Sequence, residues 1–274
     1  MVEKFADVSN WQWKAGWTNA DYIYWLRKLR DKYNIKSTAV LFSDGLWKQP
    51  HRNDQTADSY QLFKSFSCYH FLRETSPTEQ AKVFVSALKE FGADKSTVVA
   101  CDAELALPHL TARINEFNDY VYNAGYHHIY VYSSASFFNY NNNGIQTGKL
   151  HHNPKLWIAS IGTIVKPKGC HAWQFTWTAN VLGQDVDMSY DYIGELSHGA
   201  NNDTPTYIKD GKLFKTKPKS MNVYKDKELK EKRKVKLGHD SKVYGKIVTV
   251  GKVTRIKTKI GYISGNTDYI GKVE

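Results

Sequence analysis

The chain has 274 residues, with 38 Lys and Arg against 27 Asp and Glu for a formal net charge of +11. That length leaves one or two domains open, but no run of eighteen apolar residues occurs, which excludes a hydrophobic membrane-spanning helix. The three cysteines (Cys68, Cys101, Cys170) have neither a paired framework nor zinc-site spacing, so no disulfide, metal or cofactor is expected to hold the fold.

Charge is unevenly placed. Residues 1–204 carry 19 basic against 20 acidic side chains, residues 205–274 carry 19 against 7, and all eight tryptophans fall in the first part. A boundary is therefore expected in the polar Asn201–Pro205 stretch, giving units over 1–200 and 207–274 joined by a linker at 201–206. The N-terminus lacks a charged region followed by an apolar stretch, so no signal peptide is visible. The expectation is a protein made in the cytoplasm and released through a membrane lesion, or one exported with its signal removed.

In chain order, strand-like runs fall at Phe5–Val8, Thr38–Phe42, Phe66–Phe71, Thr97–Glu104, His128–Ser133, Leu156–Ser160, Ala172–Thr176 and Val186–Ser189. Between them lie helix-period segments at about Asp21–Tyr33, Pro77–Phe91 and Leu110–Ala124. The second has Ser76 as N-cap, Pro77 at the first helical position, Glu79 as the acidic member of a capping box and Gly92 at its end. Such alternation implies parallel strands covered by helices. The last three strands have almost no helical sequence between them, which suits a β/α barrel with incomplete cover at its C-terminal side. After Pro205 the pattern turns to short β runs with turn signals at Asp210-Gly211, Gly238, Gly251, Gly261 and Gly265-Asn266, as in a small all-β barrel.

The most informative local pattern is Val98-Val99-Ala100-Cys101-Asp102-Ala103-Glu104, an apolar strand ending in two carboxylates two positions apart. Positions i and i+2 of a strand face the same way, so both acids project from the strand's C-terminal end, where barrel enzymes place their chemistry. Paired carboxylates suit glycosidic cleavage, one donating a proton to the leaving oxygen and another stabilising the cationic sugar. A solvated Asp-x-Glu is an equally good reading of the motif alone. Asp7, after Phe5-Ala6, and Asp187, in the last strand, could bring further carboxylates to the same mouth. Tyr132, Trp173, Phe175 and Trp177 offer flat faces, although such alternation is more often core packing.

Taken in order, DVSNWQ (Asp7–Gln12), CYHF (Cys68–Phe71), VVACDAE (Val98–Glu104), YVYSS (from Tyr130), LWIA (Leu156–Ala159) and WQFTW…GQDVDMS (Trp173–Ser189) resemble glycoside hydrolase family 25, the phage and bacterial lysozymes. The resemblance spans residues 4–191. It implies a modified β/α barrel of eight strands and five helices that hydrolyses the β-1,4 bond between N-acetylmuramic acid and N-acetylglucosamine. It further implies Glu104 as proton donor, Asp7, Asp102 and Asp187 as the other acidic positions, and His70, Tyr132, Trp173 and Gln174 near the cleft. The chain departs from the family at Leu41-Phe42-Ser43-Asp44-Gly45, which lacks the usual lysine, at Ser160-Ile161 and at Ser189. The rival reading is a catalytically silent glycan-binding protein on the same barrel.

Thr254–Ile270 resembles bacterial Src-homology-3-like modules that tether wall hydrolases. The implied partners are peptidoglycan and anionic wall polymers, with neither nucleic acid nor membrane insertion expected. The alternatives for the basic tail are a solvated surface, since Lys225–Lys236 interleaves acids with bases, and a nucleic-acid footprint without any recognised motif.

Overall fold

The computed structural model describes residues 2–138, 144–199, 207–251, 253–267 and 269–273, so the expected linker at 201–206 lies outside the described residues. The chain divides into two compact units, Met1–Asn202 and Asp203–Glu274.

In the first unit the strands are β1 (Glu3–Val8), β2 (Thr38–Asp44), β3 (Trp47–Lys48), β4 (Ser67–Phe71), β5 (Val98–Asp102), β6 (Ile129–Ser134), β7 (Lys155–Ala159), β8 (Ala172–Val181) and β9 (Gln184–Asp191). The helices are α1 (Asn19–Tyr33), α2 (Arg52–Phe63), α3 (Pro77–Phe91), α4 (Leu110–Asn123) and the single turn α5 (Glu195–His198). The order β1-β9-β8-β7-β6-β5-β4-β2 closes through a β1–β2 pairing into an eight-stranded barrel, with β3 appended to β2 as a hairpin. All pairings from β1 through β2 and β4 to β8 are parallel. The eighth strand of the ring, β9, runs antiparallel to both neighbours, which corrects the all-parallel expectation. The cause is local. Val181 pairs with Gln184 across a two-residue loop, and Leu182 and Gly183 both have positive φ (52° and 74°), a tight hairpin that leaves no length for a crossover.

Side-chain parity sorts the strands into two cores. Phe5, Leu41, Tyr69, Val98, Ala100, Tyr130, Tyr132, Trp157, Ala159 and Ala172 fill the barrel. The alternate residues, including Ala6, Val8, Val40, Cys68, Val99, Cys101 and Val131, face the helices. Helix α3 packs Ala81, Phe84, Val85 and Leu88 on that layer. Ser76 Oγ accepts the Glu79 N–H at 3.4 Å and Gly92 ends the helix at φ 84°. The Glu79 carboxylate, however, turns to Lys82 Nζ at 2.6 Å instead of completing a capping box. Leu196 of α5 joins the interior cluster, and α5 is tied to the barrel by Asp191, whose carboxylate accepts from the N–H groups of Ile193, Gly194 and Ser197.

The second unit is a seven-stranded antiparallel sheet of β10 (Leu213–Thr216), β11 (Ser220–Tyr224), β12 (Lys232–Gly238), β13 (Lys242–Val250), β14 (Val253–Thr258), β15 (Gly261–Ser264) and β16 (Ile270–Lys272). Its order is β12-β11-β15-β14-β13-β10-β16. Ile208, Phe214, Met221, Val223, Val243, Ile256, Ile263 and Ile270 form its own core.

Candidate active site

The parity that places Phe5 inside the barrel also turns Asp7 inward, and Val98 and Ala100 do the same for Asp102. Asp7 and Asp187 are directly opposed partners of the antiparallel β1–β9 pair. Asp102 is in register with Phe71 on one side and Tyr132 on the other. Glu104 follows just beyond the end of β5. All four carboxyls, with Tyr132, line one cleft of about 670 Å³ at the C-terminal ends of the parallel strands.

So many acids in one place cannot all ionise freely. Asp102 is buried and its carboxyl is raised well above the usual range, first by burial and then by the charges of Glu104, Asp7, Asp44 and Asp187. Asp7 is raised by burial and by Asp187 and Glu104. Glu104 is raised by burial and by Asp187, with its contact to the Tyr132 hydroxyl acting the other way. Burial pushes Asp187 up to about 6, against a lowering hydrogen bond from Gln174. Gln174 Nε2 donates to Asp187 Oδ2 at 3.0 Å, while Gln174 Oε1 accepts the Tyr132 hydroxyl. That pair of bonds fixes which way the amide faces. Asp7 Oδ2 and Asp102 Oδ1 are buried with no hydrogen-bond partner among the described residues, so a protonated carboxyl or a bound hydroxyl would satisfy them.

Around this acidic floor stand Trp177, one of the aromatic faces expected from the sequence, and groups that sequence reasoning did not single out, Trp11 and Arg73 among them. Trp11 is 87% exposed and Trp177 58%, yet both line the cleft and present apolar faces to it. Trp11 lies on the turn after β1, which is clamped to the β8–β9 hairpin: Gln184 Nε2 donates to the Trp11 carbonyl at 2.6 Å, Gln12 Nε2 to that of Asp185 at 3.2 Å, and Lys14 Nζ to that of Leu182 at 3.2 Å. On the β2 and β4 side, Arg73 binds Asp44 through both Nε and a terminal nitrogen and lies 4.4 Å above the Phe71 ring. Gly45, at φ 54°, makes that approach feasible, because a Cβ there would lie 2.9 Å from Arg73 Cγ.

The remaining expected site residues lie elsewhere. His70 is fully buried on the helix side of β4, in register with Cys101. It stacks on Phe117 at 4.7 Å, bonds Ser43 Oγ at 2.8 Å and Gln80 Oε1 at 3.1 Å, and burial pushes its pKa down to about 4. Gln80 Oε1 also accepts the Arg73 N–H at 2.8 Å, so His70 bears on the cleft only by steadying the loop that carries Arg73. Trp173 likewise faces outward, packed with Ile158 and Cys170, its indole N–H on the Ser160 carbonyl at 2.9 Å. Gln174 is 2% exposed and sits behind Asp187 without lining the cleft. Strand alternation could have shown that the neighbours Trp173 and Gln174 do not both face the interior.

Residues 6–184 match the family model described as glycosyl hydrolases family 25. No curated protein sequence matches the chain. Among solved structures, the CTP1L endolysin is similar at 19% identity and a TM-score of 0.57, over 71% of this chain and 69% of that one. The catalytic domain of endolysin ply40 from bacteriophage P40 of Listeria monocytogenes is similar at 21% identity and a TM-score of 0.55, over 72% of this chain and 96% of that one. The modular autolysin LytC from Streptococcus pneumoniae, solved with a synthetic peptidoglycan ligand, is similar at 17% identity and a TM-score of 0.55, over 69% of this chain and 46% of that one. The match thus spans less than half of that autolysin.

Proposed function

The chain belongs to glycosyl hydrolases family 25, and on that premise we propose that it lyses bacterial cell walls by cutting the β-1,4 bond between N-acetylmuramic acid and N-acetylglucosamine in peptidoglycan. The observation that carries this reading is the convergence of Glu104, Asp102, Asp7 and Asp187 on one cleft within the matched region. The likeness to endolysins and to an autolysin solved with a peptidoglycan ligand supports the choice of polymer.

Glu104 is the proton donor in this account. It stands at the rim, half-buried, with its carboxyl raised by burial and by Asp187, which holds its proton to higher pH than an ordinary glutamate and suits it to protonate the leaving glycosidic oxygen. As that bond breaks, positive charge develops on the sugar ring. The negative charge shared among Asp7, Asp102 and Asp187 is fixed around that position before reaction, and stabilises the cation without reorganisation. Gln174 and Tyr132 hold Asp187 in place. Trp11 and Trp177 offer faces for sugar rings further along the strand of glycan.

The second unit, 207–274, is proposed as a Src-homology-3-like wall-binding module joined to the catalytic unit (1–200) through 201–206, with anionic wall polymers as partners. Support comes from its separate core and from the excess of basic residues after 204. Anionic polymers of the wall would attract such a unit, screened over ~8–10 Å at ordinary salt.

The test is Glu104→Gln, which keeps the shape and removes the acid. Clearing of a wall suspension should fall by ~10²–10⁴-fold with the variant still folded. Turnover near that of the parent would refute the assignment.

A further inference from the structure

The strand registers of the second unit align five residues across five neighbouring strands. Lys232 of β12 faces Tyr224 of β11, Tyr224 faces Tyr262 of β15, Tyr262 faces Lys257 of β14, and Lys257 faces Lys246 of β13. Register partners share a face of the sheet. That face is the outer one, because Ile256 and Ile263, the alternate residues of β14 and β15, are buried in the core. The row runs Lys-Tyr-Tyr-Lys-Lys over roughly 19 Å, four strand spacings of ~4.8 Å.

Two glycines permit this alignment. A Cβ on Gly261 would meet the Tyr224 carbonyl at 2.3 Å, and one on Gly245 would meet Ile256 at 2.4 Å and the Lys257 carbonyl at 2.8 Å. Both mark close backbone approaches, one where Tyr262 is brought beside Tyr224 and the other next to Lys246. The charge is segregated as well. The described acids of the unit are engaged elsewhere: Asp210 with Lys272, Glu231 with Lys225, Glu228 with Lys227, and Asp240 with Lys215. Asp226 accepts from the backbone of Lys230 and Glu231. Among the described residues no ion pair neutralises Lys232, Lys246 or Lys257.

We propose that this row is the site at which the second unit binds a phosphodiester-linked glycopolymer of the wall, with sugar against the Tyr224–Tyr262 pair and phosphates on the lysines to either side. The inference rests on the reading of this unit as a wall-binding module. Three lysines with no ion-pair partner among the described residues, one of them (Lys257) 5.9 Å from the centre of the Tyr262 ring, flank two half-exposed rings and match a polymer that alternates anionic links with ring faces. Bare peptidoglycan strands lack the phosphate charge that would complement Lys246 and Lys257.

The test uses the full chain carrying Glu104→Gln, so that walls stay intact. Retention is measured on purified walls, on walls stripped of phosphodiester polymers, and as a function of salt. The row variant is Lys232→Gln/Lys246→Gln/Lys257→Gln. The control is Lys215→Gln/Lys225→Gln/Lys272→Gln, which removes equal charge at ion-paired positions, and circular dichroism confirms that both remain folded. The row variant should lose most retention on native walls and lower the slope of log affinity against log salt by about two to three, close to one per phosphate contact. The control should lose little of either, and stripped walls should retain parent and row variant alike.

Equal loss from the control, or full retention of the parent on stripped walls, would overturn the site. Displacement by single-stranded RNA at the phosphate concentration at which the wall polymer displaces would overturn the ligand assignment. Deletion of 203–274 separates the two levels. If deletion abolishes retention and the row variant does not, the row is wrong and the targeting role stands. If deletion changes nothing, both fall.

Discussion

Burial holds the Asp187 carboxyl at about 6 against an ordinary value of 3.8, so its ionised form is less stable in the folded protein than in the unfolded chain. The sign follows from linkage: a raised folded pKa gives a contribution that is full below about pH 4 and is lost as pH rises through about 6. At pH 7 the ionised residue therefore costs on the order of 1–3 kcal/mol. Asp187→Asn should raise the thermal midpoint at pH 7 but not at pH 4, while wall hydrolysis falls; equal midpoints at pH 7 would contradict this. Activity should fall at alkaline pH as Glu104, itself raised, loses the proton it must donate. That limb belongs to the carboxyl cluster rather than to a single residue, and a flat profile from pH 5 to 9 on a soluble glycan would count against these roles. The inward turn of Asp102 was legible because an apolar strand alternates its side chains, and Glu104 follows just beyond the end of that strand. His70 belongs to the same motif run as cleft residues, but register with Cys101 turns it to the helix side, an orientation that proximity in sequence does not reveal.

At the scale of elements, the three amphipathic helices were readable from their apolar stripes, and α2 was not. The buried residues of α2 are Gln55, Thr56, Asp58 and Ser59, so no apolar period marks it. Its inward face is held by polar bonds, such as Gln55 Nε2 to the Ser9 carbonyl at 2.8 Å. The cleft wall is built in a similar way. Gln184, 8% exposed, donates to the Trp11 carbonyl and joins the turn after β1 to the β8–β9 hairpin, a link between residues 173 positions apart that no local pattern reveals. Gln184→Ala removes it. The expected result is a stability loss of ~1 kcal/mol and a several-fold rise in KM on long glycans, with a smaller change in kcat, since the Trp11 turn loses one of its three bonds to the hairpin while the carboxyls stay in place. A loss confined to kcat would show that this wall does not hold substrate.

Across the whole molecule, chemistry and charge are kept apart. The carboxyl cluster ends at Asp187, and the excess of basic residues begins after 204. The eight-stranded ring was legible because each strand announces itself by an apolar run and a turn, and closure then leaves few alternatives. The antiparallel β9 was not read because a two-residue hairpin needs positive φ at Leu182, a residue that rarely signals it. The central claim is that this arrangement cuts one particular bond. Mass spectrometry of purified peptidoglycan digested by the full chain tests it directly. The account predicts disaccharide-peptide fragments whose new reducing end is N-acetylmuramic acid, absent from digests with Glu104→Gln. New reducing ends on N-acetylglucosamine, or cleavage confined to the peptides, would contradict it.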